Sequence, residues 1–353
     1  MGAATGALAI LLQRLGNPGN MGICVACMLR DISGALGLHR APMVQYLRPE
    51  IIGFVLGSTA SSLMGREFRA RGGSAPLVRF FLGFFAMVGA LVFLGCPWRA
   101  LLRLSAGDAN AILGLLGLGA GVWVGVAFLK SGFTLGRAQR NDPRTAWMMP
   151  ALMAILLVLL IASPQFGRVD GKPAGPIFAS LQGPGSQHAP IVASLIAGLS
   201  VGALAQRSRF CTVGALRDII LVKDFHLLGG VIAMVVTAFV LNLLFGQFRW
   251  GFEGQPIAHT SHLWNFLGML LAGLAFTLAG GCPGRQLVLS GEGDADASLF
   301  VLGMLVGAGF AHNMSLASSA AGTGPYGPAA VIIGLAFCII VGYFLRRTDV
   351  GVI

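Results

Sequence analysis

Two cysteine motifs are each written twice in this chain. Cys24-Val-Ala-Cys-Met-Leu-Arg-Asp31 returns 187 residues later as Cys211-Thr-Val-Gly-Ala-Leu-Arg-Asp218. Gly95-Cys-Pro-Trp-Arg99 returns 186 residues later as Gly281-Cys-Pro-Gly-Arg285. Gly107-Asp-Ala109 and the Gly117/Gly121 pair recur at nearly the same offset, as Gly293-Asp-Ala295 and Gly303/Gly307. A lone cysteine is most often a small buried hydrophobe. Duplication of a cysteine together with its Leu-Arg-Asp or Pro-x-Arg neighbours weighs against that reading and points to chemistry at sulfur.

In Gly-Cys-Pro-x-Arg, Pro97 and Pro283 suit the first position of a helix, where a missing N–H costs nothing. Cys96 and Cys282 are then expected at N-caps, where the partial positive charge of the helix start favours a thiolate or a bound anion. Gly95 and Gly281 would let the backbone approach a ligand closely, and Arg99 and Arg285 would add electrostatic attraction. Such a site binds an anion or a soft, sulfur-like ligand through S–H and backbone N–H donors. Arg30-Asp31 and its copy Arg217-Asp218 read first as salt bridges near helix ends and second as ligand contacts. Asp108 and Asp294 read as caps of the helices that follow them. Cys24 and Cys27 form a C-x-x-C, open to a redox reading or to half of a zinc site. Gly214 stands in place of Cys27 in the second copy, so a four-ligand zinc set is not furnished, and no metal or other cofactor is expected.

These motifs sit in a chain made for lipid. Hydrophobic residues make up 56% of the sequence and charged residues 10%, against roughly 25% charged in a soluble domain. Apolar stretches of the length a bilayer requires are expected to span at 49–65, 77–95, 109–129, 147–165, 190–206, 226–246, 263–280, 297–317 and 328–345, with 3–14 as a tenth candidate. The net charge of +11 does not indicate nucleic acid, because the basic residues fall in short gaps between spans, as topology signals do. Segments 66–79, 130–144 and 207–223 and the C-terminal Arg346-Arg347 are therefore expected on the cytoplasmic side. Segments 15–48, 96–108, 166–189 and 249–262 are expected outside. The N-terminus lacks the basic region of a cleaved signal peptide.

An odd number of spans then separates the two copies, giving an inverted-topology repeat of the kind found in secondary transporters. The cysteine segments are too short and too interrupted to span. Irregular backbone at membrane depth is tolerated only when buried in protein or lining a cavity, so each should fold inward as a short re-entrant helix, two from each face. The expectation is an all-α polytopic membrane protein, hourglass-shaped, with nine or ten transmembrane helices and four re-entrant ones. Residues 1–130 form the first repeat, 131–189 a linker with one span, 190–320 the second, inverted repeat, and 321–353 a last span. Asn242, His312 and Asn313 read as helix–helix hydrogen-bonding groups ahead of a pathway role. Cys338 reads as packing, and His259 and His262 as solvated residues at the outer mouth.

The duplicated Cys-x-x-x-x-Leu-Arg-Asp and Gly-Cys-Pro-x-Arg motifs resemble those of the YeeE/YedE family of bacterial membrane proteins, over nearly the whole chain. The stretch from Gly16 through Cys24 to His39-Arg40, with Tyr46-Leu-Arg-Pro-Glu-Ile51, is most similar to the YedE-related selenium-transporter branch. The resemblance implies thiosulfate uptake, or uptake of a selenium compound, through the bacterial inner membrane along a relay of thiols. Carried over here, Cys24, Cys96 and Cys282 form the relay, with Cys211 as a further inner candidate and Cys27 as a departure from the pattern. The expected partners are a small sulfur- or selenium-containing substrate and the bilayer, with a cytoplasmic Cys-bearing carrier as a candidate. The competing expectation is a membrane thiol oxidoreductase or sulfurtransferase working through a Cys persulfide or disulfide.

Overall fold

A computed structural model describes residues 1–162, 168–169, 172–173 and 177–346. Arg347, and most of the 163–176 part of the expected outer segment 166–189, lie outside the described residues. The described chain is almost wholly helical. A first set of seven helices comprises α1 (Gly2–Arg14), α2 (Val25–Ala35), α3 (Pro49–Met64), α4 (Pro76–Phe93), α5 (Pro97–Ser105), α6 (Asn110–Lys130) and α7 (Met148–Ala162). A second set repeats the order: α8 (Ile191–Ser208), α9 (Thr212–Val222), α10 (His226–Leu244), α11 (His262–Ala279), α12 (Pro283–Gly291), α13 (Ala295–Asn313) and α14 (Gly327–Phe344). Among the described residues, eight helical segments are long and apolar enough to cross a membrane. The expected span at 49–65 is the 16-residue α3, and the candidate at 3–14 is the 13-residue α1. The four cysteine segments are the short helices α2, α5, α9 and α12, of nine or eleven residues each. This is an all-α polytopic membrane protein.

Small residues decide how the helices meet, as expected where lipid tails leave packing rather than water to drive association. On α6, a Cβ on Gly117 or Gly121 would collide with the backbone carbonyls of Phe266 and Leu270 on α11. On α13, Gly303 and Gly307 stand in the same relation to Phe80 and Phe84 of α4. Gly57 of α3 is closed by Leu199 of α8, and Gly202 of α8 by Phe54 of α3, while Gly2 and Gly6 of α1 abut Gly230 and Met234 of α10. Every one of these close pairs joins one repeat to the other. The exchange is reciprocal: α4 with α13 answers α11 with α6, and α3 with α8 answers α10 with α1. The packing of α7 against α3 and α12, and of α14 against α4 and α11, breaks it.

The equivalent helices α4 and α11 run antiparallel against each other. Arg79 near the start of α4 donates to Ala279 O at the end of α11 (3.1 Å), Gly89 meets Gly268, and Val92 O accepts from His259 just before α11 (2.8 Å). The two repeats are therefore inverted. The loops sort to two ends accordingly. At one end, β1 (Arg71–Gly72) pairs with β2 (Gln139–Arg140), Arg69 N donates to Glu292 O, and Thr134 N donates to Leu345 O. At the other, Arg249 N donates to Ala106 O and Ser180 N to Gln45 O. The basic segments expected on one side of the membrane do converge on one end.

Gly117→Ala or Gly121→Ala should destabilise the protein by about 1–3 kcal/mol, the range for overpacking a dense contact. Gly119→Ala on the same helix, where a Cβ meets nothing within 4 Å, should not. Thermal unfolding of the three variants in detergent measures the difference.

Candidate functional site

Each of the four short helices begins at a cysteine. Cys24, Cys96, Cys211 and Cys282 are the N-caps of α2, α5, α9 and α12, all in extended backbone. The thiols divide into two kinds. Cys24 Sγ accepts from Cys27 N at 3.3 Å and Cys211 Sγ from Gly214 N at 3.2 Å, so these sulfurs cap their own helices. Cys96 and Cys282 make no side-chain cap, and their helices open with Pro97 and Pro283. An uncapped helix start offers N–H donors and a positive dipole end to an anion.

The two kinds are paired within each repeat. Cys24 and Cys96 lie with their sulfurs 3.8 Å apart. In the second repeat Cys282 N donates to Cys211 Sγ at 3.3 Å. All four are free thiols, exposed by 5% or less. A guest could reach them only after side chains move.

The pairs are joined through the one position at which the Gly-Cys-Pro-x-Arg copies differ. Trp98 packs on Gly284, where a Cβ would lie 2.8 Å from the indole Cζ2 and 3.1 Å from Cε2. The indole also contacts Phe54 of α3 and Phe210, the residue before Cys211, with ring centroids 5.8 and 5.7 Å away. Trp98 was not among the residues singled out from the sequence, although the mismatch between the motif copies marks it.

The arginines of the motif have unlike fates. Arg99 is fully buried and donates to Leu94 O, to Asn20 O (3.1 Å) and to Ile257 O (3.1 Å), with Nη1 also 3.5 Å from Cys27 Sγ. Among the described residues its charge has no carboxylate partner, and Cys27 is accounted for as an acceptor of that guanidinium. Arg285 is 3.5 Å from Glu292. It lines a cavity of about 290 Å³ with Glu67, Arg69, Arg71, Arg209 and Glu292, at the end where the basic loops gather. The space beside Gly95 and Gly281 is taken by arginine stems. A Cβ there would meet the stems of Arg99 and Arg285 at about 3.0 Å, so they let each arginine fold back across its own helix start.

The Leu-Arg-Asp motifs are salt bridges. Asp31 is buried between Arg30 (2.6 Å) and Arg48 (2.7 Å), and Arg48 spends its remaining donors on Pro184 O and Gln187 O. Arg217 and Asp218 pair at 2.8 Å in a more open setting. Asp294 caps α13 through Ala297 N. Asp108 lies one residue ahead of the α6 cap Ala109, binds Asn110 N, and pairs with the buried Arg103 at 2.6 Å, so it serves a salt bridge as much as a helix start. Asn242 reaches Ser105 and Asn313 reaches Leu38 O, both between helices or loops of different elements, and Cys338 is buried in α14. His312 packs against His39 with ring centroids 4.5 Å apart and the rings tilted by 34°.

His259 is not a solvated residue of the mouth. It is 2% exposed, its Nε2 bonds Val92 O and its Nδ1 accepts from Ser261 N. His39 repeats the arrangement with Arg30 O and Ala41 N. Such a ring donates from one nitrogen and accepts at the other, so it is neutral. Burial holds both imidazoles below their usual range. Their contribution to stability is complete above the unfolded value of about 6.5 and is lost as pH falls toward the folded one. Unfolding temperature in detergent should therefore drop between pH 7 and pH 5, and His39→Gln with His259→Gln should flatten that slope. Asp31→Asn, which strands two buried guanidiniums, should cost about 3–5 kcal/mol in the same assay at pH 7.

Residues 207–343 match the family model described as sulphur transport, which is the YeeE/YedE resemblance read from the motifs. The match takes in Cys211, Arg217-Asp218 and the Gly281–Arg285 motif, that is, the inverted repeat from α9 into α14. No curated protein sequence matches the chain.

Proposed function

We propose, from an inverted repeat that carries the sulphur-transport pattern, that this protein imports a small sulfur- or selenium-containing anion by passing it between intramembrane thiols. The observation that carries this reading is the meeting of two buried thiol pairs, one from each repeat, across the contact of Trp98 with Gly284. Cys24 and Cys96 receive the anion from the outer side, and Cys282 and Cys211 hand it on. At each stage an S–H group and the uncapped N–H groups of α5 or α12 act as donors. No bond to sulfur is made or broken.

The arginine-lined cavity beside Arg285 is the exit. Four guanidiniums face two carboxylates there, an excess of positive charge that draws an anion off the last thiol. We take the basic end as the cytoplasmic one, on charge bias, with Arg346 inside and the membrane a bacterial inner membrane. A Cys-bearing cytoplasmic carrier would meet its cargo at this cavity.

A hydrogen bond to a charged group is worth about 1.5–3 kcal/mol. Cys96→Ala or Cys282→Ala should thus slow uptake roughly ten- to a hundredfold with the unfolding temperature unchanged. Proteoliposomes offered labelled thiosulfate or labelled selenite measure this and assign the chalcogen. Normal uptake by folded Cys282→Ala would sink the relay.

The 3.8 Å separation of Cys24 and Cys96 also favours a second reading, a thiol oxidoreductase. There the two sulfurs would join in a disulfide and release two protons and two electrons to an acceptor. Intact-mass spectrometry during turnover separates the two. Transport leaves every thiol unmodified, whereas a two-dalton loss or a persulfide adduct supports the enzyme.

A further inference from the structure

We infer that Trp98 is the selectivity element of the pathway, sealing the gap between the outer and inner thiol pairs and offering its indole N–H to the passing anion. The inference deepens the relay reading and rests on it. Trp98 lies two residues beyond Cys96, touches Gly284 two residues beyond Cys282, and leans on Phe210 beside Cys211. A side chain with that reach stands where a guest must cross from one repeat to the other.

Its size is matched to the inverted symmetry. The duplicated motif brings its own two variable positions against each other, and two indoles would not fit there. Tryptophan on one side and glycine on the other fill the space once, leaving Trp98 1% exposed. The seal hangs on one side chain, packed between Phe54, Phe210 and Gly284.

Its chemistry is equally specific. Trp98 Nε1 is buried and has no hydrogen-bond partner among the described residues. A buried donor is ordinarily satisfied, and each exception calls for an explanation. Nε1 is bonded to Cε2, on the edge of the ring turned toward Gly284 and the uncapped start of α12. A neutral donor beside soft thiols suits an anion that carries both an oxygen acceptor and a polarisable sulfur or selenium end. Sulfate, with oxygens on every side, would gain the indole bond but not the contact of a soft atom with thiols and ring.

The test uses full-length protein in proteoliposomes, with labelled thiosulfate and labelled selenite each set against labelled sulfate. Trp98→Phe keeps the seal and removes the donor. Uptake of the preferred anion should fall about tenfold, the effect of one hydrogen bond to a charged group, with sulfate still excluded. Trp98→Ala should remove the seal and let sulfate through at a rate near that of the preferred anion. Trp98→Gly combined with Gly284→Trp should restore exclusion, because the inverted repeat offers the same space from the other side. Unchanged rate and selectivity in folded Trp98→Phe would overturn the donor role, and sulfate exclusion by folded Trp98→Ala would overturn the seal. If Trp98→Ala does not fold, the paired exchange decides the seal: leakage of sulfate through it overturns the assignment. Cys282→Ala is run alongside. Normal transport in that variant defeats the relay itself, whereas its failure beside unaltered Trp98 variants defeats the present inference alone.

Discussion

A helix that starts away from water leaves its first N–H groups without a solvent partner, and among the described residues four short helices start at buried cysteines. Each group left unsatisfied there costs several kcal/mol, so the surrounding structure must either satisfy these groups or keep them for a ligand. Cys24 and Cys211 satisfy theirs with sulfur, a weak acceptor that packs as a hydrophobe. Cys96 and Cys282 leave theirs uncapped behind a proline.

Burying these starts requires helices packed more closely than large side chains allow. The glycines of α1, α3, α6, α8 and α13 make the contacts of backbone on backbone that surround the short helices. Charge follows the same logic. Arg30, Arg48 and Arg103 are each paired with a carboxylate out of solvent, whereas Arg99 is held by backbone carbonyls and the Cys27 sulfur. A guanidinium neutralised only by dipoles keeps a positive potential close to Cys24 and Cys27. An anion feels that potential; a neutral guest does not.

Much of this was legible in the sequence because repetition, proline and charge bias each report a local requirement. Cys-Pro fixed the helix starts of α5 and α12, Arg-Asp fixed salt bridges, and the basic loops fixed one end of the bundle. What was not legible depends on pairing at long range. Arg48 meets Asp31 only after a loop returns, His259 is buried by the end of α4, and Trp98 finds its space only through the inverted partner. The packing of arginine stems beside Gly95 and Gly281 is another case. A glycine next to a cysteine signals tight space, but the sequence does not say whether a ligand or a neighbouring arginine stem needs it.

The reciprocal pairing of the helices bears on how the chain comes into being. Domains made on a ribosome ordinarily fold in the order in which they emerge. Here α1, α3, α4 and α6 find their tightest neighbours only among α8, α10, α11 and α13. The first half must therefore wait in the bilayer with its glycine faces open until nearly the whole polypeptide has been inserted. During that interval the buried charges Arg30, Asp31 and Arg103 have only part of their final surroundings. Synthesis, and not the mature fold, is when this membrane protein is most exposed to misassembly and to quality control.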